Sequence, residues 1–152
     1  MRFRDNLLPG DAAAVENILL STEFFRRDEI DVALSILDPR EYSFLFAEGD
    51  NGDVIGYSCY SLIPCTVRNY DLYWIAVRRG SQRGGVGTAL FTRTVDEIRR
   101  KGGYSLFVET SGKDLYRPTR AFYEKCGCRL ESVIEDFYDF GDAKYIYRKI
   151  LR

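Results

Sequence analysis

Apolar positions recur every three or four residues from Asp11 to Thr22, where Ala12, Val15, Ile18, Leu19 and Thr22 share one helical face. Pro9-Gly10 precedes that stretch, and Asp11 is placed to cap it with its side-chain oxygen. Ile30, Ala33, Leu34 and Leu37 predict a second, short helix over Asp28 to Leu37, stopped before Pro39 because the residue ahead of a proline avoids the helical conformation. Phe44 to Glu48 and Val54 to Ile63 read as strands joined by Asp50-Asn51-Gly52-Asp53, a hairpin signal. Tyr70 to Val77 is apolar nearly throughout, the mark of a strand covered on both faces, and is expected to be central. From Gly85 to Lys101 the helical period returns, with Val86, Ala89, Leu90, Thr94 and Ile98 on one stripe and Gly102-Gly103 to stop it. Leu106 to Thr110 is a further strand. Thr119 to Lys125 is a short helix introduced by Pro118 and closed at Gly127, and Arg129 to Phe137 and Lys144 to Leu151 are two strands paired around Gly141-Asp142.

With a strand at the start, the order is strand, helix, helix, then strands, a helix, a strand, a helix and two strands. The strand–helix–strand unit over residues 70–110 requires a parallel pair and a right-handed crossover. The other connections favour antiparallel hairpins, so one mixed sheet with helices on both faces is the simplest packing. The 152 residues suit one domain with a real core, and no repeat, low-complexity tract or linker divides them.

Candidate chemistry begins where the central strand runs into its helix. Tyr73 to Val77 is followed by a basic turn, Arg78 to Gln82, and then by Arg83-Gly84-Gly85-Val86-Gly87-Thr88. Glycines remove the side chains that would keep an anion from the backbone. The first N–H groups of a helix have no partner within it and lie at its positive dipole end. The turn therefore predicts a pyrophosphate cradle. A Walker A loop is excluded, because Val86-Gly87 stand where Lys and Ser/Thr are needed after Gly80 and Gly85. A dinucleotide fingerprint fails at Leu90, whose bulk spoils the close helix–strand packing.

Net charge narrows the partners. At −1, with a pI near 5.6, the chain carries no global field to attract nucleic acid or an anionic membrane. Its N-terminus has no apolar leader and no stretch is long enough to span a bilayer, so a cytoplasmic protein is expected. The four cysteines, at 59, 65, 126 and 128, form no secreted-type framework and are expected to be reduced. No histidine is present, which rules out Ser-His-Asp and Cys-His catalysis and leaves Cys126 without an activating base. No metal site is expected. Proton transfer must use Asp, Glu, Tyr, Cys, Lys, the termini or water.

Gln82-x-x-Gly85-x-Gly87 matches the Q/R-x-x-G-x-G/A signature of the GNAT acyltransferase superfamily, which binds acetyl-CoA. Ala121-Phe-Tyr-Glu-Lys-Cys-Gly127 resembles the family's late helix, with Cys128 in place of the usual aromatic residue, and Val54-Ile-Gly-Tyr57 resembles its second hairpin strand. The order of elements is similar over nearly the whole chain. The resemblance implies a single GNAT-type domain over 1–152, an α/β (α+β) fold whose mixed, mostly antiparallel sheet has a central parallel pair and helices on both faces. It also implies that Gln82, Arg83, Gly84, Gly85, Val86, Gly87 and Thr88 wrap the coenzyme A pyrophosphate. Ile75, Ala76 and Val77 would offer backbone groups to the pantetheine arm, lying like an added strand beside a splayed sheet edge.

The implied activity is acetyl transfer from acetyl-CoA to a primary amine of a small molecule, amino acid or peptide, by direct attack in a ternary complex; the alternative is a non-catalytic acyl-CoA sensor or partner-binding module. A lysine-like amine has a pKa of about 10.4, so deprotonating it at pH 7 costs about 4.6 kcal/mol. Asp71, at the start of the central strand, and Glu109, on the neighbouring parallel strand, compete for the role of base. Asp71 is otherwise a solvated carboxylate, and Glu109 could equally brace Arg117 or Arg120. Tyr123 is placed by the family motif near the thioester sulfur, where a phenol can protonate the departing thiolate; otherwise it packs on the sheet. Tyr116 stands where many relatives have an asparagine touching the cofactor, and Arg120 could meet a phosphate at the adenosine end. Phe24 and Phe25, at helical spacing, read as core or as acceptor wall. A monomer or a homodimer through the last strands fits the pattern.

Overall fold

The computed structural model describes residues 1–152. Its strands are β1 (Arg2–Arg4), β2 (Ser43–Glu48), β3 (Val54–Leu62), β4 (Asn69–Val77), β5 (Ser105–Ser111), β6 (Arg129–Asp139) and β7 (Asp142–Ile150). Its helices are α1 (Asp11–Ser21), α2 (Arg27–Ser35), α3 (Val86–Arg100) and α4 (Arg117–Lys125). The strands form one seven-stranded sheet in the order β1-β2-β3-β4-β5-β7-β6. The pairs β1–β2, β2–β3, β5–β7 and β6–β7 are antiparallel, and β4–β5 is the parallel pair the crossover demanded. The chain divides into two compact units, Met1–Ser61 with Trp74–Thr94, and Leu62–Tyr73 with Val95–Arg152.

In the first unit, alternation along β2 sends side chains to both faces of the sheet. Phe44 and Phe46 join Tyr57 and Cys59 under α1 and α2, against Val15, Ile18, Leu19, Ile30 and Ala33. Leu45 and Ala47 face the other way, with Ile55 and Val77, and pack on Val86 and Leu90 at the start of α3. Helices therefore cover both faces of this unit, as the pattern predicts. On the α3 side the Ser58 and Thr94 hydroxyls, both fully buried, satisfy each other at 2.7 Å.

In the second unit, Leu106 and Val108 point to a buried face that includes Tyr147 and is covered by Tyr123 of α4, its ring centroid 6.2 Å from that of Tyr147. Phe107 and Glu109 alternate to the opposite face with Ile146 and Arg148, their register partners being Arg148 and Ile146 respectively. That face is only partly covered. The helix α3 ends in a Schellman arrangement: Gly102, at φ 84°, donates to the Arg99 carbonyl at 2.9 Å, and Gly103 donates to that of Ile98 at 2.9 Å.

Several expectations need correction. Asp11 does not cap α1. Gly10, at φ 93°, occupies the cap position, while the Asp11 carboxylate accepts two hydrogen bonds from Arg4, at 2.7 and 2.8 Å, and one from the Leu8 N–H at 2.7 Å. The bidentate Arg4 fork and the Leu8 N–H occupy the carboxylate once β1 brings Arg4 beside the helix start. Phe24 and Phe25 lie between α1 and α2, not on a helix, and Phe25 packs edge-on against Trp74 with centroids 5.1 Å apart. The last hairpin turns at Phe140-Gly141, since Asp139 and Asp142 are paired. Before it β6 is irregular between Ile134 and Asp139, with Asp136 at φ 52°.

Candidate active site

The strand β4 ends at Val77 and a short 3₁₀ turn over Arg79–Ser81 leads to the glycines. Gly84 and Gly85 take left-handed conformations, φ 94° and 78°, and a Cβ built on either would meet nothing within 4 Å. The space in front of this backbone is open. The first bond of α3 runs from the Ala89 N–H to the Gly85 carbonyl at 2.9 Å, so the N–H groups ahead of it project from the positive end of the helix. An exposed Arg83 adds charge, whereas Arg79 is engaged by Glu23 at 2.6 Å. Open left-handed backbone at a helix start fits a diphosphate. Gln82 does more than the sequence suggested. Its side-chain amide donates to the Val77 carbonyl at 3.1 Å, tying the turn back to the end of β4.

The parallel pairing supplies the second element. It runs from Asn69↔Ser105 to Leu72↔Val108 and stops there, although β5 continues to Ser111 and β4 to Val77. Meanwhile β4 stays bonded to the β3 side at both ends, through Ile63 N–H to Asn69 O at 2.8 Å and Arg78 N–H to Ile55 O at 2.7 Å. Ile75 and Val77 thus lie past the last β4 residue in the parallel register.

Asp71 and Glu109 lie on the partly covered face of the second unit, together with Lys144. Asp71 pairs in register with Phe107, two residues before Glu109. Lys144 Nζ donates to Glu109 Oε2 at 2.9 Å and stands 4.2 Å from the centroid of the Phe137 ring. Glu109 thus braces neither Arg117, which pairs with Asp114 at 2.9 Å, nor Arg120. Asp71 is half-buried, not freely solvated. Burial first, and then the Glu109 charge, push its carboxyl above the usual range, while Lys144 and a hydrogen bond with Tyr73 pull it down.

Tyr123 sits on α4 against the opposite face of that unit's sheet from the carboxylates. It is 7 % exposed, and burial, followed by Cys128 and Cys126, drives its phenol well above the ordinary value. Tyr147 beside it, pushed up to about 12 by burial and by its hydrogen bond to Glu124, donates to Glu124 Oε1 at 3.1 Å. Burial also raises the Cys126 thiol, so nothing in its surroundings makes it a nucleophile. All four cysteines are free. Tyr116, half-buried, stands in the cap position of α4. The Arg120 Nη1 donates to the Ser111 and Lys113 carbonyls, each at 2.8 Å, and its guanidinium lies 5.0 Å over the Tyr145 ring.

Residues 12–128 match the family model described as the acetyltransferase (GNAT) family. A crystal structure of a Desulfovibrio desulfuricans protein of the same family shares 44% identity, with 99% of each chain covered and a TM-score of 0.95. The chain belongs to the GNAT acetyltransferase family. Fold likeness extends to an aminoglycoside 6'-N-acetyltransferase complexed with coenzyme A, at 17% identity, 100% and 98% coverage and a TM-score of 0.80. It also reaches the ribosomal-protein-S18-alanine N-acetyltransferase of Escherichia coli, at 20% identity, 99% and 94% coverage and a TM-score of 0.78. No curated protein matches the chain.

As a GNAT protein it is an acetyl-CoA-dependent N-acetyltransferase, with acetyl-CoA as co-substrate. No cluster of three or more His, Cys, Asp or Glu side chains is placed to hold a metal ion. No helix is long and apolar enough to cross a membrane. Two site features escaped the sequence. The Gln82 amide follows from a turn geometry that spacing does not reveal, and Lys144 reaches Glu109 only through the β5–β7 register, across 35 residues of chain.

Proposed function

We propose that this GNAT enzyme, acting as one domain over residues 1–152, transfers an acetyl group to a primary amine of a small molecule, amino acid or peptide by direct attack in a ternary complex. The open, left-handed Gly84-Gly85 backbone at the start of α3 is the observation that carries this reading. Gln82, Arg83, Gly84, Gly85, Val86, Gly87 and Thr88 hold the pyrophosphate, mainly through main-chain N–H groups. Ile75, Ala76 and Val77 hold the pantetheine arm with the backbone that lies past the end of the parallel pairing. Tyr116 contacts the cofactor, and Arg120, fixed by two carbonyls, adds positive charge toward the adenosine end.

The amine nitrogen bonds to the thioester carbon, the carbon–sulfur bond breaks, and the sulfur leaves with a proton. Asp71 or Glu109 takes the amine's proton, directly or through water. A raised carboxyl value makes Asp71 a stronger base than an ordinary aspartate, which suits that task. Tyr123 keeps its proton throughout the neutral range and gives it to the departing thiolate. Fold relatives named for an aminoglycoside and for a ribosomal protein's alanine illustrate the range of amine acceptors. A net charge of −1 speaks against nucleic acid as acceptor, and four free cysteines suit a cytoplasmic monomer or homodimer.

The test is isothermal titration with acetyl-CoA, followed by a thiol-release screen of primary amines and peptides. Micromolar binding and release with at least one amine are expected; absence of coenzyme A affinity in the wild type would overturn the cofactor assignment.

A further inference from the structure

We propose that Lys144 is a positioning residue whose ammonium occupies Glu109 and leaves Asp71 as the carboxylate that accepts the amine's proton. This rests on the reading, given above, that one of the two carboxylates is the base. Lys144 stands on β7 opposite Ser111, and its side chain is only 14% exposed. An ammonium so enclosed needs partners, and it has two: Glu109 Oε2 at 2.9 Å and the Phe137 ring at 4.2 Å. Glu109, 46% exposed, thus has an oxygen committed to the Lys144 ammonium and not free to face the amine. Asp71 has no such ion pair. It shares the face, with Phe107 as its register partner, and it hydrogen-bonds with Tyr73.

The titratable and charged groups around this cluster are Asp71 and Tyr73 on β4, Glu109 on β5, Tyr138 on β6, and Asp142, Lys144 and Arg148 on β7. Lys113, in the loop after β5, is taken by Asp142 at 3.8 Å, and Arg148 is held over Phe107 at 5.3 Å. Lys144 is therefore the cation that opposes the mutual repulsion of Asp71 and Glu109. Without it, two like charges share one half-buried face, and the first of them to bind a proton does so at higher pH.

The experiment is a carboxyl-carbon NMR titration of wild type, Lys144→Met, Lys144→Arg and Glu109→Gln, with thermal melts as a check on folding. Alongside it run pH profiles of kcat/KM for the most active primary amine of the thiol-release screen. Lys144→Met should move the Asp71–Glu109 titration and the acid limb of the rate upward by roughly one pH unit. Lys144→Arg should restore both. Glu109→Gln, which frees Lys144 for Asp71, should lower the Asp71 midpoint. An unmoved titration in Lys144→Met, or loss of rate in Lys144→Arg equal to that in Lys144→Met, would overturn the positioning role and mark Lys144 as a structural brace. Full turnover in Asp71→Asn would instead sink the base reading on which it rests.

Discussion

Gln82 donates its side-chain amide to the carbonyl of Val77 at 3.1 Å, so the residue that opens the glycine turn also ties that turn to the last residue of β4. The bond fixes where the backbone donors of residues 83–88 point. Replacing Gln82 by Ala removes one hydrogen bond, worth about 1 kcal/mol. The expected outcome is a KM for acetyl-CoA raised about fivefold, with kcat nearly unchanged, because ground state and transition state lose the same positioning. Steady-state kinetics at saturating acceptor check it; an unchanged KM would show that the turn holds itself.

Gly85→Ala separates strain from occupancy. The left-handed φ of 78° costs a residue with a Cβ about 1 kcal/mol, yet that Cβ would meet no protein atom within 4 Å. The variant should fold, with a melting temperature lower by a few degrees. Acetyl-CoA affinity should nevertheless fall by more than about tenfold, since the methyl group enters the space proposed for the phosphates. Calorimetric titration and a thermal melt together decide: a large loss of stability with intact affinity would mean the open space is not the ligand's.

What the sequence made legible was local. The 3.6-residue stripe of α3, the Asn51-Gly52 turn between β2 and β3, and the unbroken apolar run of β4 each carry their structure within a dozen residues, and each forms within two residues of the expected bounds. The glycine turn was legible for the same reason. Asp11 was misread because its partner Arg4 arrives through the β1–β2 pairing, and no local rule announces an arginine fork. The arginines weighed as alternative partners of Glu109, Arg117 and Arg120, follow it closely in the chain, whereas its partner Lys144 is set by sheet register. The irregularity of β6 at Asp136 was invisible too, since bulges depend on how two strands fit and not on one strand's composition.

The Arg4–Asp11 pair predicts acid sensitivity. Burial raises the Asp11 carboxyl, but the Arg4 hydrogen bonds, the Leu8 N–H and the Arg4 charge outweigh that and hold it below the usual range. A lowered folded-state value gives stability that is present above the unfolded value, about 3.9, and is lost as pH falls through the folded one. Asp11→Ala leaves Arg4, 17% exposed, short of its main partner and should cost about 3 kcal/mol at pH 7. Urea unfolding at pH 7 and at pH 3 checks the sign: the gap between variant and wild type should narrow in acid. A constant gap would place the effect in packing.

Asp71 carries the opposite sign. Its folded value is raised, so ionising it at neutral pH weakens the fold, and the stability linked to its neutral form is lost as pH rises through that value. Asp71→Asn should therefore melt at a slightly higher temperature than wild type at pH 7, an advantage that fades in acid, while turnover falls by about 100-fold. Lower stability together with lost activity would point to a structural carboxylate.

Tyr123→Phe tests the acid directly. Removing the hydroxyl keeps the ring that packs 6.2 Å from Tyr147, so the fold and the acetyl-CoA affinity should change little, the latter by less than about twofold. Turnover should fall by about 100-fold, the range of a general acid. Because burial raises this phenol well above about 10, its deprotonation should give no alkaline limb below that pH. Any alkaline limb in the wild type should then persist in the variant, reporting another group. Equal losses in kcat and in acetyl-CoA affinity would reduce Tyr123 to a wall of the cofactor site, and the leaving thiolate would have to find its proton in solvent.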